Sequence, residues 1–360
     1  MSHLSNFKES LVAKGFDAAI VSDKLNQRYL SDFPFDDGLV LVTRGESYLI
    51  TDFRYVEAAR VQTTREMTVL TAGNGGMLLT VAGLLSDHGC KVVAVEEKAL
   101  SHADFLRDTE VLCDYTVKPG ASELLSAQRA YKDERELDTI ARAQSITDLA
   151  FSHIVEHLHP EMTELEVALE LEFFMRRNGA DGLAFETIAI SGSNSSRPHG
   201  VPRRQKLEKG FLTLDFGATV DGYCSDMTRT VVLGRADAEM KKLYNTVLTA
   251  QQAALDAACE GASLHGLDAI ARSIIDGAGY KGCFGHSLGH GVGLLCHEGP
   301  RLSPASPKDA TLQRGHVVTF EPGIYLEGKY GCRIEDLACV RPDGSFYDFT
   351  NSSKELLELF

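Results

Sequence analysis

The first third of the chain alternates between apolar residues spaced for helices and short apolar runs typical of strands. Two of these runs flank Arg44-Gly45-Glu46, which predicts a β-hairpin. The alternation over residues 1–122 predicts an α/β domain of modest size. No GxGxxG sequence follows a predicted strand there, so a dinucleotide site is not expected. The predicted elements are a helix at 6–14, a strand at 18–21, hairpin strands at 38–43 and 47–51, a continuation of the pattern at 51–61, a strand at 91–96 and a helix at 101–109.

A change of pattern places a domain boundary between residues 122 and 123. The segment 117–122 contains Pro119 and Gly120, and longer helical patterns follow it. A capping box from Thr163 to Glu166 opens one of these helices. Residues 123–360 predict an α+β domain, with helices packed on an antiparallel sheet. Its predicted elements are a helix from about 122 to 157 broken near Lys132, helices at 163–178, 236–259 and 264–278, and strands at 186–191, 211–216, 223–233, 317–321 and 332–340.

Composition narrows the class of protein. A length of 360 residues suits two domains with real cores. The balance of 36 basic and 51 acidic residues gives a net charge of −15, which argues against nucleic acid or an anionic membrane as a partner. The N-terminus lacks the apolar core of a signal peptide, and no apolar run reaches spanning length, so we expect a cytoplasmic protein. Eight cysteines without a CxxC pair are then expected to be free thiols.

Four carboxylates and one imidazole form the candidate chemistry. Four negative charges in one pocket repel one another unless cations are present, and two divalent metals would neutralise them. Oxygen ligands with a single nitrogen favour Mn²⁺ or a similar ion over a thiolate-preferring one. The set predicts a two-metal hydrolytic centre, provided that the fold brings its members together. The candidate ligands are Asp215 in LTLDFGA, Asp226 in YCSDMTRT, His290 in SLGHGVG, Glu321 in VTFEPGIY and Glu335 in CRIED.

Strand pairing predicts how these ligands meet. A hairpin centred between Val220 and Asp221 would place Asp215 directly opposite Asp226. Glu321 and Glu335 would pair in the same way about Gly328, although Pro322 must end or bend that ladder. The alternative is a set of solvated acids on exposed strands. The apolar run before Asp215 argues against that alternative, because an unpaired charge is costly there.

Three histidines lie within GHSLGHGVGLLCHEG. A helical HxxxH zinc motif is the rival interpretation, but the glycines at 285, 289, 291 and 293 disfavour a helix. His286, His290 and His297 are therefore expected on backbone that passes close to a ligand. His199, in the proline- and glycine-bounded SSRPHGVP, is a weaker candidate when taken alone.

The ordered motifs DFGA, SDMTRT, GHGVG, EPGIY and RIED resemble those of the creatinase/aminopeptidase "pita-bread" metallopeptidases. The similarity is strongest to the branch of Xaa-Pro dipeptidases (prolidases) and aminopeptidase P. RYLSDFPFDDGLVLV and ITDFRY extend it to a creatinase-type N-terminal domain. The resemblance implies a pita-bread catalytic domain over residues 123–360, preceded by the smaller α/β domain over 1–122.

The resemblance also implies a role for each residue. Asp215 would bind one metal, Asp226 and Glu335 would bridge the two, and His290 and Glu321 would bind the second. The ions would be Mn²⁺, with Co²⁺ and Zn²⁺ left open. The remaining roles are substrate binding and stabilisation of the tetrahedral intermediate by His199 and His297, orientation of the bridging acid and the substrate by Arg333, and support of the loop by His286.

The implied reaction is hydrolysis of the bond between an N-terminal residue and proline. A hydroxide bridging the metals would attack the carbonyl carbon, with Glu321 carrying the proton. The substrates would be proline-containing peptides, and a homodimer is expected. Dipeptidase and aminopeptidase P activities stay open. Two alternatives, a creatinase-like hydrolase of small amides and a non-catalytic binding module on the same fold, are disfavoured because all five ligands are present.

Overall fold

A computed structural model describes residues 2–360, and the chain forms two compact units. The first unit ends at Arg129 and the second is Ala130–Phe360. The division lies later than the predicted boundary between residues 122 and 123, because helix Ala121–Arg129 packs against helix His3–Ala13 of the first unit. No helix within residues 2–360 combines the length and apolar character needed to span a membrane.

The first unit is built on a six-stranded mixed sheet with the order β4-β3-β2-β1-β5-β6. The two pairings within the β1-β2-β3 meander are antiparallel, and the other three pairings are parallel. Three strands have the predicted bounds, and the strand predicted at 91–96 is one residue shorter at each end. The strands are β1 (Ala18–Val21), β2 (Gly38–Thr43), β3 (Ser47–Thr51), β4 (Thr68–Thr71), β5 (Val92–Val95) and β6 (Thr116–Pro119).

Six helices accompany this sheet, so the α/β character of the unit agrees with the prediction. Helices were expected at 6–14 and 101–109 and occur as α1 and α5. The pattern at 51–61 is partly β3 and partly α3, whereas α2 and α4 were not predicted. The helices are α1 (His3–Ala13), α2 (Lys24–Ser31), α3 (Val56–Gln62), α4 (Met77–Asp87), α5 (His102–Val111) and α6 (Ala121–Arg129).

The second unit contains four long helices. Capping boxes open the first two of them, at Asp133 with Glu136 and at Thr163 with Glu166, as the sequence indicated for the second. The break near Lys132 is confirmed, because one helix ends at Arg129 and the next begins at Glu134. The helices are α7 (Glu134–His157), α8 (Glu164–Arg177), α9 (Ala238–Asp256) and α10 (Leu264–Ile275), with short irregular turns at Gly192–Ser196 and Asp276–Tyr280.

The strands of the second unit form four small sheets, ordered β20-β12-β9-β8, β14-β13-β15-β18-β19, β11-β10-β7 and β16-β17. Every pairing is antiparallel except that of β12 with β20. The strands are β7 (Gly182–Leu183), β8 (Ile188–Ser191), β9 (Gly210–Phe216), β10 (Ala218–Val220), β11 (Tyr223–Cys224), β12 (Met227–Leu233), β13 (Gly289–Gly291), β14 (Glu298–Leu302), β15 (Val317–Phe320), β16 (Gly323–Leu326), β17 (Tyr330–Arg333), β18 (Asp336–Val340), β19 (Phe346–Asp348) and β20 (Glu358–Leu359).

Helices cover both faces of the central β9–β12 pair. Phe211 and Val232 join a core with α9 and α10, whereas Leu212 and Val231 join a second core with α7 and α8. This alternation follows from the two-residue period of a strand. It confirms the α+β arrangement of helices on an antiparallel sheet.

A buried histidine is expected to make the second unit sensitive to acid. His316 is 5% exposed, and its Nδ1 accepts a hydrogen bond of 3.1 Å from the Gln313 backbone N–H. Burial, with a smaller contribution from Lys132, lowers the pKa of His316 to about 4. This folded-state pKa lies below the unfolded value. The neutral His316 ring therefore contributes fully to the free energy of unfolding above about pH 6.5, and this contribution is lost as the pH falls towards 4. We expect acidification from pH 7 to pH 5 to lower the free energy of unfolding by about 2 kcal/mol through His316.

The measurement is urea unfolding of the wild type and of His316→Gln at both pH values. The wild type should lose about 2 kcal/mol more than the variant on acidification. His159→Gln, at an exposed histidine, is the matched control and should retain the wild-type pH dependence. Equal losses in the wild type and in His316→Gln would contradict the assignment.

Candidate active site

One cavity in the second unit collects the candidate residues. It encloses about 630 Å³, within the usual range for a small-molecule site. The nine residues singled out from the sequence all line it, although their individual roles stay predictions. They are His199, Asp215, Asp226, His286, His290, His297, Glu321, Arg333 and Glu335.

The hairpin that carries the two aspartates turns at a different place from the one predicted. Asp221 and Gly222 occupy the turn with φ of 46° and 78°, and Val220 pairs with Tyr223. The prediction of Asp215 directly opposite Asp226 was wrong, because that pairing is with Thr228. The aspartates are instead diagonal neighbours on one face, where Cα atoms are about 7–8 Å apart. A diagonal arrangement leaves room between the two carboxylates.

The strand register around the two glutamates is the one that the sequence predicted. Phe320 pairs with Asp336 at the end of the β15–β18 ladder, and Gly323 pairs with Arg333 at the start of the β16–β17 ladder. Both ladders keep the same register, which places Glu321 opposite Glu335 in the gap between them. The predicted interruption at Pro322 is present, and it also divides the strand expected at 332–340 into β17 and β18.

The glycines around His290 let three strands approach closely. A Cβ on Gly289 would lie 1.9 Å from the Thr319 carbonyl oxygen, and one on Gly291 would lie 2.2 Å from the Gly299 carbonyl oxygen. The segment therefore forms β13 and not a helix, which rules out the helical HxxxH arrangement. His290 Nε2 lies 3.3 Å from Glu321 Oε1 and 3.7 Å from Asp226 Oδ2.

Burial and mutual repulsion govern the charges in this cavity. Asp226 and Glu335 are buried, and both burial and the neighbouring carboxylates raise the pKa of each well above its usual range. Burial and Asp215 raise the pKa of Glu321 to about 8, against the opposing effect of Arg333. Burial, with His297, lowers the pKa of His290 to about 3, which favours a neutral imidazole that can bind a cation.

The donor set fits divalent cations. Ligand atoms of Asp226, His290 and Glu335 all lie within 4.8 Å of one another. Asp215 Oδ1 is buried without a hydrogen-bond partner among residues 2–360, which leaves a lone pair directed into the site. Arg333, paired with Asp215, does not balance four carboxylates by itself. Buried charges of this kind are paired or coordinate metals.

Arg333 reaches the expected bridging acid through another residue. Its Nη2 pairs with Asp215, while its Nε donates a hydrogen bond of 2.9 Å to Thr228 Oγ1. The Thr228 hydroxyl donates in turn to Glu335 Oε2 at 2.7 Å. Thr228 thus links Arg333 to Glu335. Thr228 was not singled out from the sequence, since its role depends on a contact with residue 335 of another strand.

The other histidines surround the acids. The His297 ring centroid lies 4.1 Å from that of His290, and both His297 and His199 are exposed in the cavity. His286 Nε2 lies 3.0 Å from the Tyr325 hydroxyl, and Arg333 Nη1 donates to the same hydroxyl at 2.7 Å. His286 and Arg333 thus meet at one hydroxyl, that of Tyr325.

A buried ion pair secures the segment that bears His199. The Glu164 carboxylate is fully buried at the start of α8 and accepts hydrogen bonds from Arg203 Nε and Nη2 at 2.9 and 2.7 Å. It also accepts from the Asn194 side chain at 3.0 Å. Residues on both sides of His199 are therefore bound to one helix terminus.

Two further cavity neighbours were not identified as site residues from the sequence. Arg301 lies on β14 directly opposite His290, lines the cavity, and pairs with no carboxylate within residues 2–360. Cys296 donates a hydrogen bond from its thiol to Asp226 Oδ2 at 3.1 Å. No sequence signal marks Arg301, but the strand pairing that carries His290 would have pointed to it.

Comparison with known proteins identifies what this architecture resembles. Residues 138–342 match metallopeptidase family M24, and residues 3–131 match the creatinase/prolidase N-terminal domain. An Xaa-Pro dipeptidase from Pyrococcus horikoshii is 34% identical over 351 residues and 97% of each chain. The structure of an Xaa-Pro dipeptidase from Bacillus anthracis matches with a TM-score of 0.94 at 37% identity over 99% of each chain.

An X-Pro aminopeptidase from Thermotoga maritima is also similar, with a TM-score of 0.90 at 35% identity over 98% of this chain and 99% of that one. These matches confirm the predicted pita-bread catalytic domain and the creatinase-type domain before it. Dipeptidase and aminopeptidase names both occur among the similar structures.

Proposed function

The chain belongs to metallopeptidase family M24, and from that premise we propose that it is a two-metal Xaa-Pro dipeptidase. It is a metal-dependent Xaa-Pro peptidase, as named relatives across nearly its whole length support. The observation that carries the dipeptidase assignment is a free guanidinium, that of Arg301, beside a buried cluster of four carboxylates and an imidazole.

We assign the metal ligands as the sequence resemblance implied. Asp215 would hold one ion, His290 and Glu321 would hold the other, and Asp226 and Glu335 would serve both. Mn²⁺ is our first choice, because oxygen ligands with one neutral imidazole suit it, while Co²⁺ and Zn²⁺ also accept such a set. When bound, the ions supply a nucleophile at neutral pH and polarise the scissile carbonyl.

The protein's own groups move the proton and stabilise the developing charge. Glu321, beside His290 and at the cavity wall, accepts a proton from the attacking water and returns it to the leaving nitrogen. His297 and His199 donate hydrogen bonds to the oxyanion of the tetrahedral intermediate. Phe185, Ile188 and Val201 offer an apolar wall for the proline ring.

Arg301 supplies the contact that distinguishes a dipeptide. The C-terminal carboxylate of an Xaa-Pro dipeptide lies one residue beyond the scissile bond, so a cation beside the metal ligands suits it. A guanidinium presents two parallel donors to a carboxylate. The carboxylate would also neutralise the one cavity cation that lacks a partner among the described residues.

Substituting Arg301 with alanine is expected to raise KM for Xaa-Pro dipeptides about 10- to 100-fold, the usual size of a lost charged hydrogen bond. Hydrolysis of the corresponding Xaa-Pro amides, which lack the carboxylate, should change less than about threefold. Steady-state kinetics on matched acid and amide substrates give the comparison. Arg314→Ala, which removes an exposed guanidinium paired with Glu260, is the control. An equal loss on both substrates would assign Arg301 to structure and not to the carboxylate.

Substrate length tests the function itself. Metal-free protein is reconstituted separately with Mn²⁺, Co²⁺ and Zn²⁺ and assayed on Xaa-Pro dipeptides and Xaa-Pro-Yaa tripeptides. Cleavage restricted to dipeptides supports the proposal, and efficient cleavage of tripeptides replaces it with an aminopeptidase P activity. Absence of metal-dependent release from either substrate contradicts the peptidase assignment.

A homodimer and a cytoplasmic location complete the proposal. Two-fold oligomers are the commonest assemblies of soluble proteins, and the family resemblance favours one here. Sedimentation velocity measures the first point, and cell fractionation measures the second.

A further inference from the structure

A second group of metal-ligating side chains lies outside the cavity, on helices α7 and α8. It consists of His153, His157 and Glu170, whose ligand atoms all lie within 4.8 Å of one another. The two histidines are one helical turn apart, so they project from the same face of α7. The glutamate comes from the neighbouring helix. None of the three lines the active-site cavity.

Two of the three side chains are already held in place. His153 Nε2 lies 2.7 Å from Glu170 Oε1, and both side chains are about one-third exposed. The His153 ring stacks on Phe174 with centroids 4.1 Å apart and planes 14° apart. Phe174 in turn packs against the core beneath α7 and α8. One imidazole and one carboxylate therefore already lie side by side before any ligand arrives.

The third side chain is free to complete the set. His157 is the last residue of α7, is exposed, and has its ring centroid 5.2 Å from that of His153. Zinc binds imidazole nitrogen at about 2.0–2.1 Å, so two ligands on one tetrahedral ion are separated by about 3.4 Å. Reaching that value requires rotation of the exposed His157 side chain and an opening of the His153–Glu170 contact from its present 2.7 Å.

We propose that His153, His157 and Glu170 form an auxiliary binding site for an imidazole-preferring dication such as Zn²⁺. Two nitrogen ligands and one oxygen ligand suit Zn²⁺, Cu²⁺ or Ni²⁺ better than Mn²⁺. The site thus differs in selectivity from the carboxylate-rich centre of the cavity. The net charge of −15 further favours cation binding.

Binding here joins the two helices near the connection between them. Helices α7 and α8 are consecutive, and residues 158–163 connect them. An ion that takes ligands from both helices stabilises only the folded arrangement and raises the melting temperature by mass action. The proposal does not rest on the peptidase assignment, because no residue of the cavity takes part.

The test uses full-length protein with the cavity ligands disabled by Asp226→Asn and Glu335→Gln. After removal of metals, this background is titrated with Zn²⁺ by calorimetry and its thermal unfolding is followed with and without the ion. We expect one equivalent to bind, and Tm to rise by about 5 °C at a hundredfold excess over Kd. Mn²⁺ should give a much smaller shift.

Adding His157→Gln should abolish both the binding and the Tm shift, and because His157 is exposed, the fold should be retained. His159→Gln, an exposed histidine two residues further on and outside the cluster, is the matched control and should behave like the background. No bound Zn²⁺ in the background, or binding that survives His157→Gln, would overturn the proposal and leave His153–Glu170 as a simple ion pair.

Discussion

Replacing Asp226 with asparagine is expected to lower kcat/KM for Xaa-Pro dipeptides by at least about 10³-fold, as when a preorganised charge is removed from a catalytic site. The same change should greatly reduce the metal retained after dialysis. An amide offers no anionic oxygen to a second ion, and Asp226 is one of the two residues assigned to both ions. Metal analysis and steady-state kinetics on the same sample measure the two effects together.

The melting temperature of the metal-free protein distinguishes a loss of metal binding from simple misfolding. Without metals, burial and repulsion by Asp215 and Glu321 raise the pKa of Asp226. The asparagine variant removes part of that repulsion, so the metal-free variant should melt no lower than the metal-free wild type. Glu186→Gln makes the same chemical change at an exposed cavity residue outside the cluster and should keep both metal and activity. A variant that binds metal normally would contradict the role given to Asp226.

Replacing Arg229 with methionine should destabilise the second unit by about 3–5 kcal/mol, the cost of leaving a buried charge without its partner. The Arg229 side chain is 1% exposed and pairs with Asp336 Oδ1 at 2.7 Å. It also donates to the Ser352 and Ser353 carbonyl oxygens at 2.8 and 3.1 Å. Without Arg229, the buried Asp336 carboxylate loses an ion-pair partner, and several carbonyl groups lose their hydrogen-bond donor.

Urea unfolding followed by circular dichroism measures this loss. Arg235→Met makes the same substitution at an exposed arginine and should change the free energy of unfolding by less than about 0.5 kcal/mol. Because Arg229 also donates to the Glu335 carbonyl oxygen, metal affinity of the folded variant should fall as well. A loss below about 1 kcal/mol would mean that Lys354 alone satisfies Asp336.

Much of the architecture could be predicted from local sequence. Strands β1, β2 and β3 have the bounds that their apolar runs indicated, and Pro322 interrupts its ladder as expected. The nine site candidates came from motifs, which depend on short stretches of chain. Their convergence on one cavity required the fold, and the resemblance supplied it.

The errors arise where turn geometry sets the strand register, or where a residue's neighbours come from distant parts of the chain. An Asp-Gly pair prefers both central positions of a tight turn, where φ is positive, and this shifted the register by two residues from the predicted one. Thr228 and Arg301 depend on which strand lies opposite them, and no short motif records that. The boundary after Arg129 depends on α6 packing against α1, a contact across more than one hundred residues of sequence.

The shared register of the β15–β18 and β16–β17 ladders has a consequence for how this family can change over evolution. Glu321 and Glu335 sit at the base of that long hairpin, and its tip at residues 327–329 is exposed to solvent. Insertions or deletions at the tip leave the pairing at the base unchanged, since the strands are aligned from both sides of Pro322. A change of length by one residue between the glutamates and β15 or β18 would turn a ligand to the other face. Length variation among relatives should accumulate at the tip and be absent from the base.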